Sequence, residues 1–129
     1  MIRFMVPGLP FSKGRPRFKR IGNFVSSYTD NKTRAAEAEF LKHALSSAPS
    51  VPLECPLKVS IKFIKIKPKG YKKSENFWYK RPDLDNMIKG LDALNGVFWK
   101  DDSQIISINA EKCFGDSNRT EVEIAAVLF

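Results

Sequence analysis

The stretch RPDLDNMIKGLDALNGVFWKDDSQI, residues 81–105, decides how this chain folds. Leu84, Met87, Ile88 and Leu91 recur at the i, i+3, i+4, i+7 spacing of an amphipathic helix, and Asn95-Gly96 is a stop signal. Pro82 disfavours helix at the residue before it and brings no donor of its own. The helix is therefore predicted to start at Asn86, with Asp85 as its N-cap and Asp83 to Asp85 extended. Beyond the turn, Ile106, Ile108 and Ala110 alternate as a strand does.

Working outward, Ile2, Phe4 and Val6 alternate in a short first strand. Pro7 to Ser27 holds Gly8, Pro10, Gly14, Pro16 and Gly22 and reads as a long basic loop. A helix capped by Asp30 or Thr33 runs to about Ser46, with Phe40, Leu41, Ala44 and Leu45 on its buried side. Leu57, Val59, Ile61 and Phe63 alternate with Lys58, Ser60 and Lys62. Then Ile64 and Ile66 take the opposite phase, which predicts a bulge near Phe63 and Ile64. Pro68 to Arg81 reads as a second basic loop, and Phe77, Trp78 and Tyr79 within it are expected to pack rather than to stack on bases. Gly115 and Asp116 mark a hairpin turn before Val122, Ile124, Ala126 and Leu128, the last strand. The predicted class is α+β, one domain over residues 1–129 in the order β-α-β-α-β-β. Both helices should pack on one mixed sheet whose last two strands are antiparallel.

The 129 residues, 43% hydrophobic and 28% charged, describe a globular domain rather than a disordered chain. No run approaches the ~18 apolar residues of a membrane span, and the N-terminal charges follow the apolar residues, the reverse of a signal peptide. Cys55 and Cys113 stand far apart with no CxxC, excluding a zinc finger or a disulfide framework; a cytoplasmic setting is expected. Net charge is +8, which suggests a polyanionic partner. Arg3, Lys13, Arg15, Arg17, Lys19 and Arg20 precede the first acid, Asp30. From Lys58 to Arg81, eight lysines and one arginine face only Glu75. The sign then reverses across Asp83, Asp85, Asp92, Asp101 and Asp102, opposed only by Lys89 and Lys100.

That acidic cluster inside a basic chain requires a reason, since like charges about 4 Å apart repel by roughly 4 kcal/mol at an effective dielectric near 20. Asp83 and Asp85, two apart in extended backbone, can face one cation. Asp101 and Asp102 can fold back towards them. An all-carboxylate site suits Mg²⁺, or Mn²⁺, bridging to phosphate oxygens, and such an ion promotes phosphodiester hydrolysis. Lys89 could then meet the scissile phosphate or the attacking water. The bland alternatives are that the DxD caps a helix, that Asp92 pairs with Lys89 three residues back, and that Asp101-Asp102 are turn residues. His43 and both cysteines read as structural.

The segments Asp83-Leu84-Asp85-Asn86, Lys89, Asp92-Ala93-Leu94-Asn95-Gly96 and Trp99-Lys100-Asp101-Asp102-Ser103-Gln104 resemble the RusA family of Holliday junction resolvases. Lys13-Gly14-Arg15-Pro16-Arg17-Phe18 is similar to phage-type members. The resemblance implies a homodimeric, Mg²⁺-dependent endonuclease that nicks two opposed strands of four-way junction DNA. It places the essential aspartates at Asp83, Asp85 and Asp102, as metal ligands, and the essential lysine at Lys89. Phosphate contacts are then expected from Lys13, Arg15, Arg17, Lys19 and Arg20 in one loop, and from Lys69, Lys72, Lys73 and Arg81 in the other. Two readings compete with this one: a nucleic-acid-binding protein without catalysis, and a nuclease for other branched DNA.

Overall fold

The computed structural model describes residues 1–13, 17–28 and 31–127. Its strands are β1 (Ile2–Pro7), β2 (Arg17–Ile21), β3 (Phe24–Tyr28), β4 (Leu57–Ile66), β5 (Ile105–Gly115) and β6 (Arg119–Ala126), and its α-helices are α1 (Asn31–Ala44) and α2 (Leu84–Ile88). β1, β6, β4 and β5 form a mixed sheet in that order. β6 is antiparallel to both its neighbours, β1 and β4, whereas β4 and β5 run parallel. The α+β order read from the sequence holds, with a two-stranded β2–β3 sheet added.

The core lies on one face of the sheet. Leu57, Val59, Ile61 and Phe63 of β4 and Val122 and Ile124 of β6 are buried there against Phe40 and Ala44 of α1, and against Met87, Leu91, Leu94, Phe98 and Trp99. Each such side chain contributes about 1.5–3 kcal/mol on leaving water. Phe4 joins the layers, its ring 6.0 Å from Phe40 and 5.4 Å from Phe98. In α1, Phe40 and Ala44 are buried as predicted, Leu41 is half-buried, and Leu45 lies exposed beyond the helix end. Thr33 stands inside the first turn of α1 rather than before it, so it is not the cap. Asp30 lies outside the described residues.

α2 is short because its continuation, Lys89–Leu94, tightens into a 3-10 helix. Gly90 sits at the change, where a Cβ would come within 2.9 Å of Cζ of Phe11. The N-terminal segment thus crosses the helix at a point that only glycine leaves open. The backbone bond from Lys13 N to Asn86 O, 2.9 Å, fixes that crossing.

Three sequence expectations are corrected. The last two strands are not a hairpin: β4 lies between β5 and β6, bonded to both. Nor is there a bulge at Phe63/Ile64, where the pairing with β6 runs unbroken through Phe63↔Thr120 and Ile64↔Arg119. The irregularity lies at the strand's start, where Leu57 faces Ile105 and Lys58 faces Ser107, leaving Ile106 as the extra residue. Ile64 is buried on the far face because its Cγ2 fills the space beside Gly115, under the Arg119 guanidinium. Finally, Pro7 to Ser27 is not all loop: Arg17–Ile21 pairs antiparallel with Phe24–Tyr28 around a Gly22-Asn23 turn, with Gly22 at φ +59°. Phe18, Ile21, Phe24 and Val25 are exposed on this ribbon.

A Cβ at position 115 would lie 2.6 Å from Ile64 Cγ2, in a site where a buried β-branched side chain has little freedom to turn. Gly115→Ala should therefore destabilise the fold by about 1–3 kcal/mol, measured by urea unfolding. In an Ile64→Ala background the same change should cost much less.

Candidate active site

The chain approaches the aspartates along the edge of β5. Phe114 N donates to Asn76 O at 2.9 Å, and Phe77 bridges to Cys113 in antiparallel fashion. Trp78, 3% exposed, turns under this segment, with Nε1 directed at Phe63 O (3.4 Å). Two ammonium groups lie on its ring, Lys65 at 4.4 Å and Lys112 at 4.5 Å from the centroid. Phe77 and Tyr79, on either side, are exposed, so the aromatic triplet divides into one packed ring and two open to solvent. Tyr71 packs edge-on against Phe114 and Tyr79, and Lys80 lies over its ring.

The Arg81–Pro82 peptide is cis. Lys112 Nζ donates to the carbonyls of Lys80 (2.9 Å) and Pro82 (2.8 Å), one on each side of Arg81. Burial pushes the Lys112 pKa down and the Lys65 charge adds to this, while Asp83 acts against both.

Asp83, in extended backbone, is the N-cap residue of α2, and Met87 N donates to its carbonyl at 3.2 Å. The sequence predicts Asp85 as the cap with Asp83 to Asp85 extended; instead Asp83 is the cap and Asp85 the second residue of a helix that begins at Leu84, so extended backbone does not turn the two carboxylates to one side. Asp83 and Asp85 are both exposed, and among the described residues neither carboxylate is taken up by a hydrogen bond or an ion pair. Lys89, four residues after Asp85, is exposed and donates to Asn86 Oδ1 at 3.3 Å.

Asp92 does not pair with Lys89. Its partner is Lys13, whose Nζ lies 3.2 Å from Asp92 Oδ2 and 3.3 Å from Glu37 Oε1. Burial pulls the Lys13 pKa down, but the hydrogen bonds and charges of Asp92 and Glu37 outweigh it and raise the value. A residue expected to meet phosphate is thus held inside the fold, tying the N-terminal segment to α1 and to the turn after α2. A partner so distant in sequence leaves no local signal.

Asp101 and Asp102 have separate tasks. Asp101 caps the short 3-10 turn Asp102–Gln104, accepting from Ser103 N, while Gln104 Oε1 accepts from Asp101 N; both bonds are 2.9 Å. Gln104 Nε2 then donates to Leu53 O (2.8 Å) and Cys55 O (3.0 Å), and Leu53 O also accepts from Lys100 N. Asp102 Oδ1 accepts from Nε1 of the fully buried Trp99 at 2.8 Å, which fixes the carboxylate while its residue remains exposed.

Among the described residues, no three Asp, Glu, His or Cys side chains are placed to share one metal ion. Asp83 and Asp85 both lie at the start of α2, one as its cap and one in its first turn, and Asp102 is not gathered with them into a three-ligand set. A divalent cation of the Mg²⁺ type needs no all-protein cage, since it takes one or two carboxylates together with waters and substrate phosphate oxygens. The uncommitted carboxylates of Asp83 and Asp85 meet that donor requirement.

Basic residues are exposed elsewhere along the chain. Lys69, Lys72, Lys73 and Arg81 are exposed in the segment before the site, as are Lys19 and Arg20 on the ribbon. Arg15 and the side chain of Arg17 lie outside the described residues. His43 is paired with Glu39 at 3.0 Å, and both cysteines are free and half-buried. No helix among the described residues is long and apolar enough to cross a membrane.

Lys112 escaped the sequence reading although a signal was present. The alternation Ile106, Ile108, Ala110 places position 112 on the same face of β5, where a lysine is out of pattern.

Comparison with known proteins agrees with this picture. The profile of the family Endodeoxyribonuclease RusA matches residues 7–125. "Uncharacterized protein YqaN" of Bacillus subtilis (strain 168) is 29% identical over 137 residues, covering 98% of this chain and 96% of the relative. "Crossover junction endodeoxyribonuclease rusA" of Lactococcus phage r1t is 29% identical over 136 residues, covering 96% of this chain and 95% of the phage protein. The chain belongs to the RusA family and is an endodeoxyribonuclease.

Proposed function

We propose that this endodeoxyribonuclease resolves four-way DNA junctions by paired symmetric nicks, with Mg²⁺ (or Mn²⁺) as cofactor, in cytoplasmic DNA recombination and repair. The observation that carries the reading is a pair of uncommitted carboxylates, Asp83 and Asp85, within a surface otherwise rich in lysine and arginine. Unpaired acids beside a phosphate path repel the substrate unless a cation joins them, so their retention there calls for one. The crossover-junction activity in the name of the phage relative supports the choice of substrate.

In this reading Asp83 and Asp85 hold the cation, and we assign the third carboxylate to Asp102, which Trp99 orients but which this structure does not gather with the other two. When bound, the ion supplies Lewis-acid polarisation of the scissile phosphate and an acidified water. Lys89, one turn from Asp85, offsets charge on the phosphate. Lys69, Lys72, Lys73, Arg81, Lys19 and Arg20 hold the flanking backbone by counterion release, as do Arg15 and Arg17 in the same N-terminal stretch. A two-stranded ribbon such as β2–β3 is a kind of element that a DNA major groove admits. Two opposed cuts need two active centres, which a two-fold homodimer provides in the symmetry of the junction.

The deciding assay incubates the purified protein and Mg²⁺ with labelled four-way junction, fork, loop and linear duplex. The junction should yield paired nicks while linear duplex stays intact; equal cutting of all four would refute junction selectivity. Asp85→Asn should lower the cleavage rate about 100-fold or more, the loss of roughly 3 kcal/mol of transition-state stabilisation, and keep junction binding. Cleavage by that variant at the wild-type rate would remove Asp85 from the site.

Lys72→Ala combined with Lys73→Ala should reduce the slope of log binding constant against log salt by about 1–2, since each lost phosphate contact removes about 0.9. Lys13→Met should leave that slope unchanged and instead cost about 1 kcal/mol of stability, because its charge serves Asp92 and Glu37.

A further inference from the structure

Lys112 stands on the helix-facing side of β5, directly opposite the buried Phe63 of β4. A lysine there gives up part of its hydration, so it requires partners. Two of its donors are spent on the carbonyls of Lys80 and Pro82, at 2.9 and 2.8 Å, and its ammonium lies over the ring of Trp78. The first part of the 76–83 segment is bonded to β5 through its backbone, at Asn76 and Phe77. At its end the attachment passes to a side chain, that of Lys112, and the carbonyl it grips at Pro82 belongs to the residue immediately before Asp83. The chain from Lys80 to Pro82 is thereby pinned to a sheet strand at the point where it delivers the first aspartate.

We propose that Lys112 is a positioning residue: by clamping the carbonyls on both sides of Arg81 it holds Asp83 at the geometry the active site needs. The proposal rests on the reading of Asp83 as part of that site. Lys112 touches neither phosphate nor cation in this role; it acts through the backbone that carries Asp83. Placement errors of about 1 Å are enough to cost about 100-fold in rate, which sets the scale of the effect.

The test uses Lys112→Met, which keeps the apolar stem over Trp78 and removes the donors, and Lys112→Arg, which restores charge and donors. Amide hydrogen exchange of peptides covering residues 79–85 is compared in the cation-free proteins, alongside single-turnover cleavage of four-way junction with Mg²⁺ and junction binding without it. For Lys112→Met, exchange in 79–85 should rise while β4 is unchanged, cleavage should fall about 10–100-fold, and junction affinity should stay within about twofold. Lys112→Arg should recover part of the rate and most of the protection. Unchanged exchange, or a cleavage rate equal to wild type, in Lys112→Met overturns the proposal. Should that variant not fold, Lys112→Arg alone decides, and the proposal falls if its 79–85 exchange equals that of the unfolded chain while β4 remains protected. A wild-type protein that leaves junctions whole would refute the functional reading, whereas the exchange comparison, made without cation or DNA, still judges Lys112.

Discussion

A strand hydrogen-bonded on both sides has no free edge, and β4 takes that position by inserting between β5 and β6. Everything at the site depends on this insertion. Because β4 occupies the middle, β5 becomes an outer strand, and its second half accepts the segment that leads to the aspartates. An open strand edge is a liability in solution. Here that edge is covered over residues 76–83, and the covering chain is the one that bears Asp83. The central position that makes β4 the most deeply buried strand thus sets where Asp83 is placed.

Charge is arranged to a single end. Acids remote from the site are neutralised by specific partners: Glu37 and Asp92 by Lys13, Asp116 and Glu121 by Arg119, Glu54 by Lys100. Asp101 is consumed as a cap and Asp102 is half-used by Trp99. Among the described residues three acids then remain without a hydrogen bond or ion pair: Glu111 on β5, and Asp83 and Asp85 at the start of α2, where Asp83 feels the charge of Lys112. In a chain of net charge +8, two such acids only two residues apart are conspicuous.

Much of this was legible in the sequence wherever one-face burial imposes a period. β1, β4, β6 and the helical stripe Leu84, Met87, Ile88, Leu91 lie where alternation or 3.6-residue spacing placed them. The failures share a cause, which is that the deciding contact was distant. Ile64 broke the alternation because it fills a space left by Gly115, not because of a bulge. The turn after Gly115 passes over β4 rather than folding back, and local turn chemistry does not distinguish the two. Asp85 lost the cap to Asp83, since both residue types suit the position and the choice lies in where the segment clamped by Lys112 ends. The β2–β3 ribbon was a local miss: Gly22-Asn23 between two short runs is a hairpin signal, obscured by the glycines and prolines before it.

The hydrogen bonds of Gln104 carry a consequence for the chain's freedom to vary. Its amide spans the carbonyls of Leu53 and Cys55, and Leu53 also exchanges backbone bonds with Phe98 and Lys100. The link before β4, which looks like dispensable spacer, is therefore the floor under the turn that presents Asp102. Added or deleted residues between Leu53 and Cys55 would displace those carbonyls, and with them the turn that holds a carboxylate far away in sequence.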